Sequence, residues 1–299
     1  MEDVINEKPL VSVILCTYND ERYIAETIKS VLYQTFKNFE FIIWNDGSTD
    51  GTQSIIKSFK DDRIRYFFHE NTGLGVALGL ACKEAKGKYI ARIDGDDICL
   101  PYRLEKEVDF LEKQADYVLV SSSVYYINEE GTIIGRSFPW TWHKCQKKQF
   151  SIVHPAAMYR RDAYNSTYGY LNLRACEDRL LWSSLIKKGK FCVIEEPLIK
   201  YRLLSTSLSH AYDMQSIYAR MLEMMRIKIC DGTCPIESDI ELHNLLYDYA
   251  KNSRLSLSVY TYKQSFEEKL YRLMSKLLGE KVSTKIVCTL KNIYCLIRY

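Results

Sequence analysis

Lys88-Tyr89-Ile90-Ala91-Arg92-Ile93-Asp94-Gly95-Asp96-Asp97 holds the densest chemistry in the sequence: a short apolar run ends abruptly in three carboxylates around one glycine. Carboxylates that close together repel, by roughly 4 kcal/mol for unit charges ~4 Å apart at an effective dielectric of about 20. A divalent cation turns that repulsion into binding. With oxygen ligands only, and no His or Cys in the run, Mg2+ or Mn2+ is expected rather than zinc, and such ions commonly keep positions open for substrate phosphates. The plainer alternative is an acidic strand-to-loop turn with solvated side chains, and an Asp-x-Asp on its own does not decide between the two.

The elements around this run decide what it can meet. Short β-rich stretches are read at Leu10–Cys16, Glu40–Trp44, Arg63–Phe67, Lys88–Ile93 and Tyr117–Ser121. Amphipathic helical windows lie between them. Ile24, Ile28, Val31 and Leu32 fall at helical spacing within Glu21–Gln34, behind Asn19 and Asp20 as candidate caps. Asp50–Lys60 starts with Asp50 three residues before Gln53, in the manner of a capping box, and Pro101 suits the first turn of a helix continued by Leu104, Val108 and Leu111. Such alternation builds a mainly parallel sheet with right-handed crossovers, in which ligands bind beyond the carboxyl ends of the strands. Thr17-Tyr18-Asn19, Asn45-Asp46-Gly47-Ser48-Thr49-Asp50 and Asp94-Gly95-Asp96-Asp97 are thereby predicted to share one sheet edge. Further on, Tyr125–Ile134 reads as a hairpin around Asn128-Glu129-Glu130-Gly131, and helical patterns dominate from about Asp213.

With 299 residues, 47% hydrophobic and 26% charged, the chain has the composition of a globular protein with a sizeable core. A net charge of +3 gives no reason to expect nucleic acid as a partner. The charge is unevenly spread: from Lys263 to the end there are eight Lys/Arg against three Glu. The ten cysteines follow no regular spacing, and Cys16, Cys82 and Cys192 lie in apolar stretches, so they are expected reduced and mostly buried; Cys230 and Cys234 form a poor zinc pair. Met1–Lys8 lacks a basic and an apolar region, and no apolar run reaches the ~18 residues of a spanning helix, so a cytoplasmic location is expected.

Four motifs in order, Val11-Ser12-Val13-Ile14-Leu15-Cys16-Thr17-Tyr18-Asn19, Asn45-Asp46-Gly47-Ser48-Thr49-Asp50, Ala91-Arg92-Ile93-Asp94-Gly95-Asp96-Asp97 and Glu177-Asp178 with Leu181-Trp182, resemble the family 2 glycosyltransferases of the glycosyltransferase A fold. Asn71-Thr72-Gly73, Pro101-Tyr102-Arg103-Leu104-Glu105, His154-Pro155 and Tyr201-Arg202 extend the likeness across roughly residues 10 to 209. The resemblance implies a catalytic domain over 1–209, with a mainly parallel central sheet flanked by helices, and a helical extension over 210–299. It also implies an inverting transfer from a nucleotide sugar, UDP-linked by expectation, to a glycan or lipid-linked acceptor in surface or capsular polysaccharide synthesis.

Carried over residue by residue, the loop Thr17-Tyr18-Asn19 encloses the nucleoside, Asp46 contacts the uracil edge, Asp94 faces the ribose, and Asp96, with Asp97 in reserve, ligates Mg2+ or Mn2+. Asn45 departs from relatives with two acids there, and Leu203-Leu204 stand where relatives often place a His. Arg92 is read either as holding the acidic cluster or phosphates, or as an outward strand residue. Inversion needs one base for the acceptor hydroxyl, a role that falls to Asp178, with Glu177 orienting it or binding acceptor. Arg179–Lys188 also reads as a helix that Asp178 would cap, where the dipole lowers a carboxyl pKa. His154 is a donor or acceptor contact or a structural His; Trp140, Trp142 and Trp182 stack on sugar or pack in the core. Ile286, Val287, Leu290, Ile293, Tyr294 and Ile297 recur at helical spacing among Lys285, Lys291 and Arg298, a stretch suited to an anionic membrane surface or to packing on protein. A sugar nucleotidyltransferase and a nucleotide-sugar-binding protein without catalysis are the competing readings; the first ordinarily needs a Gly-rich basic loop after the first strand, which Cys16-Thr17-Tyr18-Asn19-Asp20 is not.

Overall fold

Strand and helix alternate from Val11 onward in the computed structural model, which describes residues 8–137, 152–172 and 177–204. The first half runs β1 (Val11–Thr17), α1 (Ile24–Leu32), β2 (Phe39–Asn45), α2 (Thr52–Ser58), β3 (Ile64–Phe68), α3 (Leu74–Lys83) and β4 (Tyr89–Asp94). There follow β5 (Ile98–Cys99), α4 (Arg103–Lys113), β6 (Tyr117–Ile127), β7 (Ile133–Arg136), a 3-10 turn (His154–Ala156), β8 (Met158–Arg160), α5 (Arg161–Asn165), α6 (Glu177–Leu185) and β9 (Lys190–Arg202). The tail expected from residue 210, Trp140, Trp142 and the Cys230/Cys234 pair lie outside the described residues.

One sheet is ordered β3-β2-β1-β4-β8-β6-β9-β5, with β7 paired to β6. β3, β2, β1 and β4 are parallel, as expected of right-handed crossovers. Beyond β4 the sheet is mixed, because β8 runs antiparallel to both β4 and β6. The hairpin is present as β6–β7, with Tyr125 opposite Arg136.

Period-two alternation sorts the strand residues onto two cores. Val11, Val13 and Leu15 join Phe41, Ile43, Ala91 and Ile93 beneath α1, α2 and α4; Ile14, Cys16, Ile42, Trp44 and Ile90 face α3 and α6. The cysteines Cys16, Cys82 and Cys99 are free and buried. The glycines of Leu74-Gly75-Val76-Ala77-Leu78-Gly79 hide α3 from a propensity reading, yet they let the helix sit close. A Cβ on Gly79 would lie 3.3 Å from the Tyr170 carbonyl oxygen. β9 is hidden by Glu195-Glu196-Pro197; the strand absorbs them where its pairing with β6 slips register, at Ser122–Val124.

The amino ends of the strands are closed by a saturated polar network. Ser12 Oγ donates to Glu40 Oε1 at 2.6 Å, Arg65 Nη1 to Glu40 Oε2 at 2.6 Å, and the Lys86 N–H to Glu40 Oε1 at 2.7 Å. Buried carboxylates that serve structure are satisfied in this way.

On the opposite core face Trp182 is 1% exposed, packed edge-on against Tyr159 at 5.9 Å and His154 at 5.8 Å. That placement corrects the sugar-stacking reading of Trp182, since both ring faces lie inside the core. Trp182→Ala is expected to destabilise the fold by about 3–5 kcal/mol in denaturant unfolding, whereas Tyr33→Ala, at a side chain 76% exposed, should change it by less than about 0.5 kcal/mol.

Candidate active site

Register alone brings the three polar loops together. Thr17 is opposite Asn45 and Cys16 opposite Asp94, so the carboxyl ends of β1, β2 and β4 lie side by side. Asn19, the only non-glycine residue with positive φ (57°) among the described residues, staples two of these loops. Its Oδ1 accepts from the Thr49 N–H at 2.8 Å, and its own N–H donates to Ser48 Oγ at 2.9 Å. Tyr18 between them is 49% exposed, the one large apolar surface of this loop open to a ligand. Asn45 accepts from the Ser48 N–H at 2.8 Å and donates to the Tyr66 hydroxyl at 3.3 Å, a donor role that an acid at this position could not fill.

Asp46 is buried, and both of its oxygens are engaged. Oδ1 accepts from the N–H of Thr72 at 3.0 Å and from its hydroxyl at 2.9 Å, and Oδ2 accepts from the Gly73 N–H at 2.8 Å. Asp46 therefore holds the Asn71–Gly73 loop at the start of α3. Gly47 beside it has φ +81°, and a Cβ there would lie 2.7 Å from the Asn71 nitrogen, so this turn admits only glycine.

Neither Asn19 nor Asp20 caps α1; only the Asp20 carbonyl receives its first N–H groups. The Asp20 carboxylate instead accepts from Thr17 Oγ1 at 2.6 Å and presses on Gly95, where any Cβ would collide with it. Thr17 is buried and spends its hydroxyl on Asp20. Burial, with Asp94 adding to it, raises Asp20 to about 6. Asp96 is raised to about 7 by burial, then by Asp94 and Asp20, while its own backbone N–H and Arg92 pull the other way. Asp97 is fully buried: Oδ1 accepts from the Arg202 N–H at 2.7 Å and Oδ2 has no partner. Asp94 is ion-paired to Arg92, which is 1% exposed, so Arg92 is an inward residue and the outward reading of it is corrected. Burial opposes the Arg92 charge most strongly, but Asp94, Tyr170 and Cys16 together more than offset it and keep the guanidinium protonated.

A second cluster lies on the same core face. His154 Nε2 is 2.8 Å from the Tyr170 hydroxyl, and Nδ1 is 3.6 Å from Glu177 Oε1. Burial, helped by Arg92, pushes the His154 pKa well down and keeps the imidazole neutral. Glu177, the first residue of α6, is raised to about 8 by burial and by Asp178. Asp178 accepts from the Arg179 N–H at 2.7 Å, as a first-turn acid does. Its pKa nonetheless moves up, because burial outweighs Arg179 and the backbone.

Sequence reasoning placed Asp94, Asp96 and Arg92 at one edge and missed Asp20, Tyr170 and the role of Asp97 as an anchor for β9. Asp20 was legible only as a helix cap, since nothing local reveals that its side chain turns back onto Gly95. Among the described residues no three His, Cys, Asp or Glu side chains are grouped closely enough to hold a metal ion by themselves, and no helix is long and apolar enough to cross a membrane.

The glycosyl transferase family 2 pattern matches residues 12–167. The uncharacterized glycosyltransferase MJ1057 of Methanocaldococcus jannaschii is 38% identical over 208 residues, 66% of this chain and 72% of the relative. Among solved structures, S. aureus TarS 1-349 in complex with UDP-GlcNAc superposes with a TM-score of 0.58 at 21% identity, over 75% of this chain and 71% of the other. The mannosyltransferase PcManGT of Pyrobaculum calidifontis, in complex with GDP-Man and Mn2+, gives 0.55 at 16% identity, over 97% and 88%. The four motifs, the three loops at one sheet edge and these likenesses agree: the chain belongs to glycosyl transferase family 2 and is a glycosyltransferase of the glycosyltransferase A fold.

Proposed function

We propose that this glycosyltransferase takes a sugar from a UDP-linked donor and passes it, with inversion, to a hydroxyl of a glycan or lipid-linked acceptor, using Mg2+ or Mn2+. The observation that carries the reading is the crowded acidic cluster where the β1, β2 and β4 loops converge, with Asp96 pressed by Asp94 and Asp20 and Asp97 Oδ2 buried without a partner. Glu40, at the other end of the sheet, shows how this fold treats a carboxylate with only a structural task. TarS is solved with UDP-GlcNAc and PcManGT with GDP-Man and Mn2+, which supports a nucleotide-sugar donor and a divalent cation.

The residues fit such a cation. The donor set is all oxygen, Asp96 is crowded by Asp94 and Asp20, and Mg2+-type sites commonly take one or two carboxylates and complete their shell with substrate phosphates and water. Asp96 would be the ligand, and Asp97, already tied to Arg202, serves it as an anchor. When bound, the ion offsets negative charge gathering on the departing diphosphate. Tyr18 and the Asn71–Gly73 loop held by Asp46 offer the surfaces for the nucleoside, and Arg92 keeps Asp94 oriented toward the ribose.

Asp178 takes the proton of the acceptor hydroxyl as the acceptor oxygen bonds to the anomeric carbon and the bond to the diphosphate breaks on the opposite face. Its upward shift makes it a better base than a solvated Asp. Glu177, raised to about 8 by burial and by Asp178, titrates together with Asp178 and not independently of it. The basic amphipathic stretch from Lys285 to Arg298 supports an acceptor held at the cytoplasmic face of a membrane.

UDP with Mn2+ should raise the melting temperature, equivalent to about 2.7 kcal/mol at about 100 times Kd, and chelator or Asp96→Ala should erase most of the gain. Equal stabilisation with metal and with chelator would remove the cation from the proposal. Asp178→Asn should lower kcat by about 10²–10⁴-fold while leaving UDP binding in place; near-parental turnover would exclude it as the base. Glu177 binds its proton more tightly in the folded chain between its ordinary 4.5 and about 8, so its contribution to stability falls as pH rises across that window. Glu177→Gln should flatten that fall in melting temperature between pH 5 and pH 8.5, and should keep transfer at neutral pH.

A further inference from the structure

Arg202, at the end of β9, is 2% exposed and uses its planar donor fork almost completely. Nε donates to the Asp96 carbonyl at 2.8 Å, Nη1 to the carbonyls of Asn128 at 3.1 Å and Glu129 at 2.9 Å, and Nη2 to Glu26 Oε2 at 2.8 Å. Its guanidinium lies 4.5 Å from the centre of the Tyr23 ring, and the Arg202 backbone N–H donates to Asp97 Oδ1. Around it Thr27 Oγ1 lies 2.8 Å from the carbonyls of both Gly95 and Asp97, which share its one hydroxyl hydrogen, and Arg202 takes that of Asp96 between them. Arg22, paired with Glu129 at 2.9 Å, ties the β6–β7 hairpin to the start of α1 as well.

Arg160 fills its fork as fully, on Tyr117, Tyr89, Leu111 and Gln114; what sets Arg202 apart is the peptide it holds. It joins the peptide that carries Asp96 and Asp97 to α1 and to the β6–β7 turn. We propose that Arg202 is a positioning residue that locks the Asp94–Asp97 loop in the conformation presenting Asp96 to the donor's diphosphate and its divalent cation. The proposal rests on the donor reading above. Lysine cannot substitute, because a single ammonium lacks the fork that reaches Asp96, the hairpin and Glu26 together.

The test uses the full chain and reads the Mn2+ concentration that gives half of the UDP-dependent thermal stabilisation. Arg202→Lys should raise it by about tenfold or more, as losing an orienting partner of a metal ligand does, and should raise KM for the UDP-sugar while kcat recovers at saturating Mn2+. Glu26→Ala, at a side chain 56% exposed, cuts one arm only and should shift the midpoint in the same direction by a smaller factor. It carries the test if Arg202→Lys does not fold. A lower melting temperature of the metal-free protein with an unchanged Mn2+ midpoint in both variants would make Arg202 a mere packing residue and overturn the proposal. If the parent chain itself shows no Mn2+-dependent response to UDP, the donor reading falls, and this proposal with it.

Discussion

Mutual repulsion among Asp20, Asp94, Asp96 and Asp97 is the constraint around which this end of the molecule is built. Burial raises Asp20, Asp96 and Asp97, and each is pushed further by an acidic neighbour. A fold tolerates such a group only where surrounding structure holds it in place. Two buried arginines do so from opposite sides, Arg92 through the Asp94 carboxylate and Arg202 through the backbone of Asp96 and Asp97. Gly95 is required for the same reason, because the Asp20 carboxylate occupies the space a side chain would need.

The two ends of the sheet treat their acids differently. At the amino ends, Glu40 is surrounded by Ser12, Arg65 and a backbone N–H until its oxygens are satisfied. At the carboxyl ends, Asp97 Oδ2 is buried without a partner beside other acids. That is the edge at which open α/β sheets generally bind their ligands.

Much of this was readable from residues. The alternation of Val11, Val13 and Leu15 with Ile14 and Cys16 fixes both core faces of β1, and the motif order places three loops on one edge before any contact is known. What stayed hidden depends on distant partners. α3 hid behind Gly75 and Gly79, and at Gly79 close packing on Tyr170 overrides the low propensity. β8 has three residues, too few for any period to show. Asp20 and Asn19 look like caps, and only their turn toward Gly95 and Thr49 gives them other tasks. Asp178 reads as a dipole-stabilised acid with a lowered pKa, yet burial reverses the sign.

β8 also joins two blocks of the sheet. It is antiparallel to β4 on one side and to β6 on the other, touching each through a handful of residues, and the turn bearing His154 leads directly into it. In the strand order the parallel block β3-β2-β1-β4 meets β6 by way of β8. The register that aligns Thr17, Asn45 and Asp94 is thus set without the pairing of β6 and β9, and Arg202 is a cross-tie through which a change in the far block reaches the acidic loop.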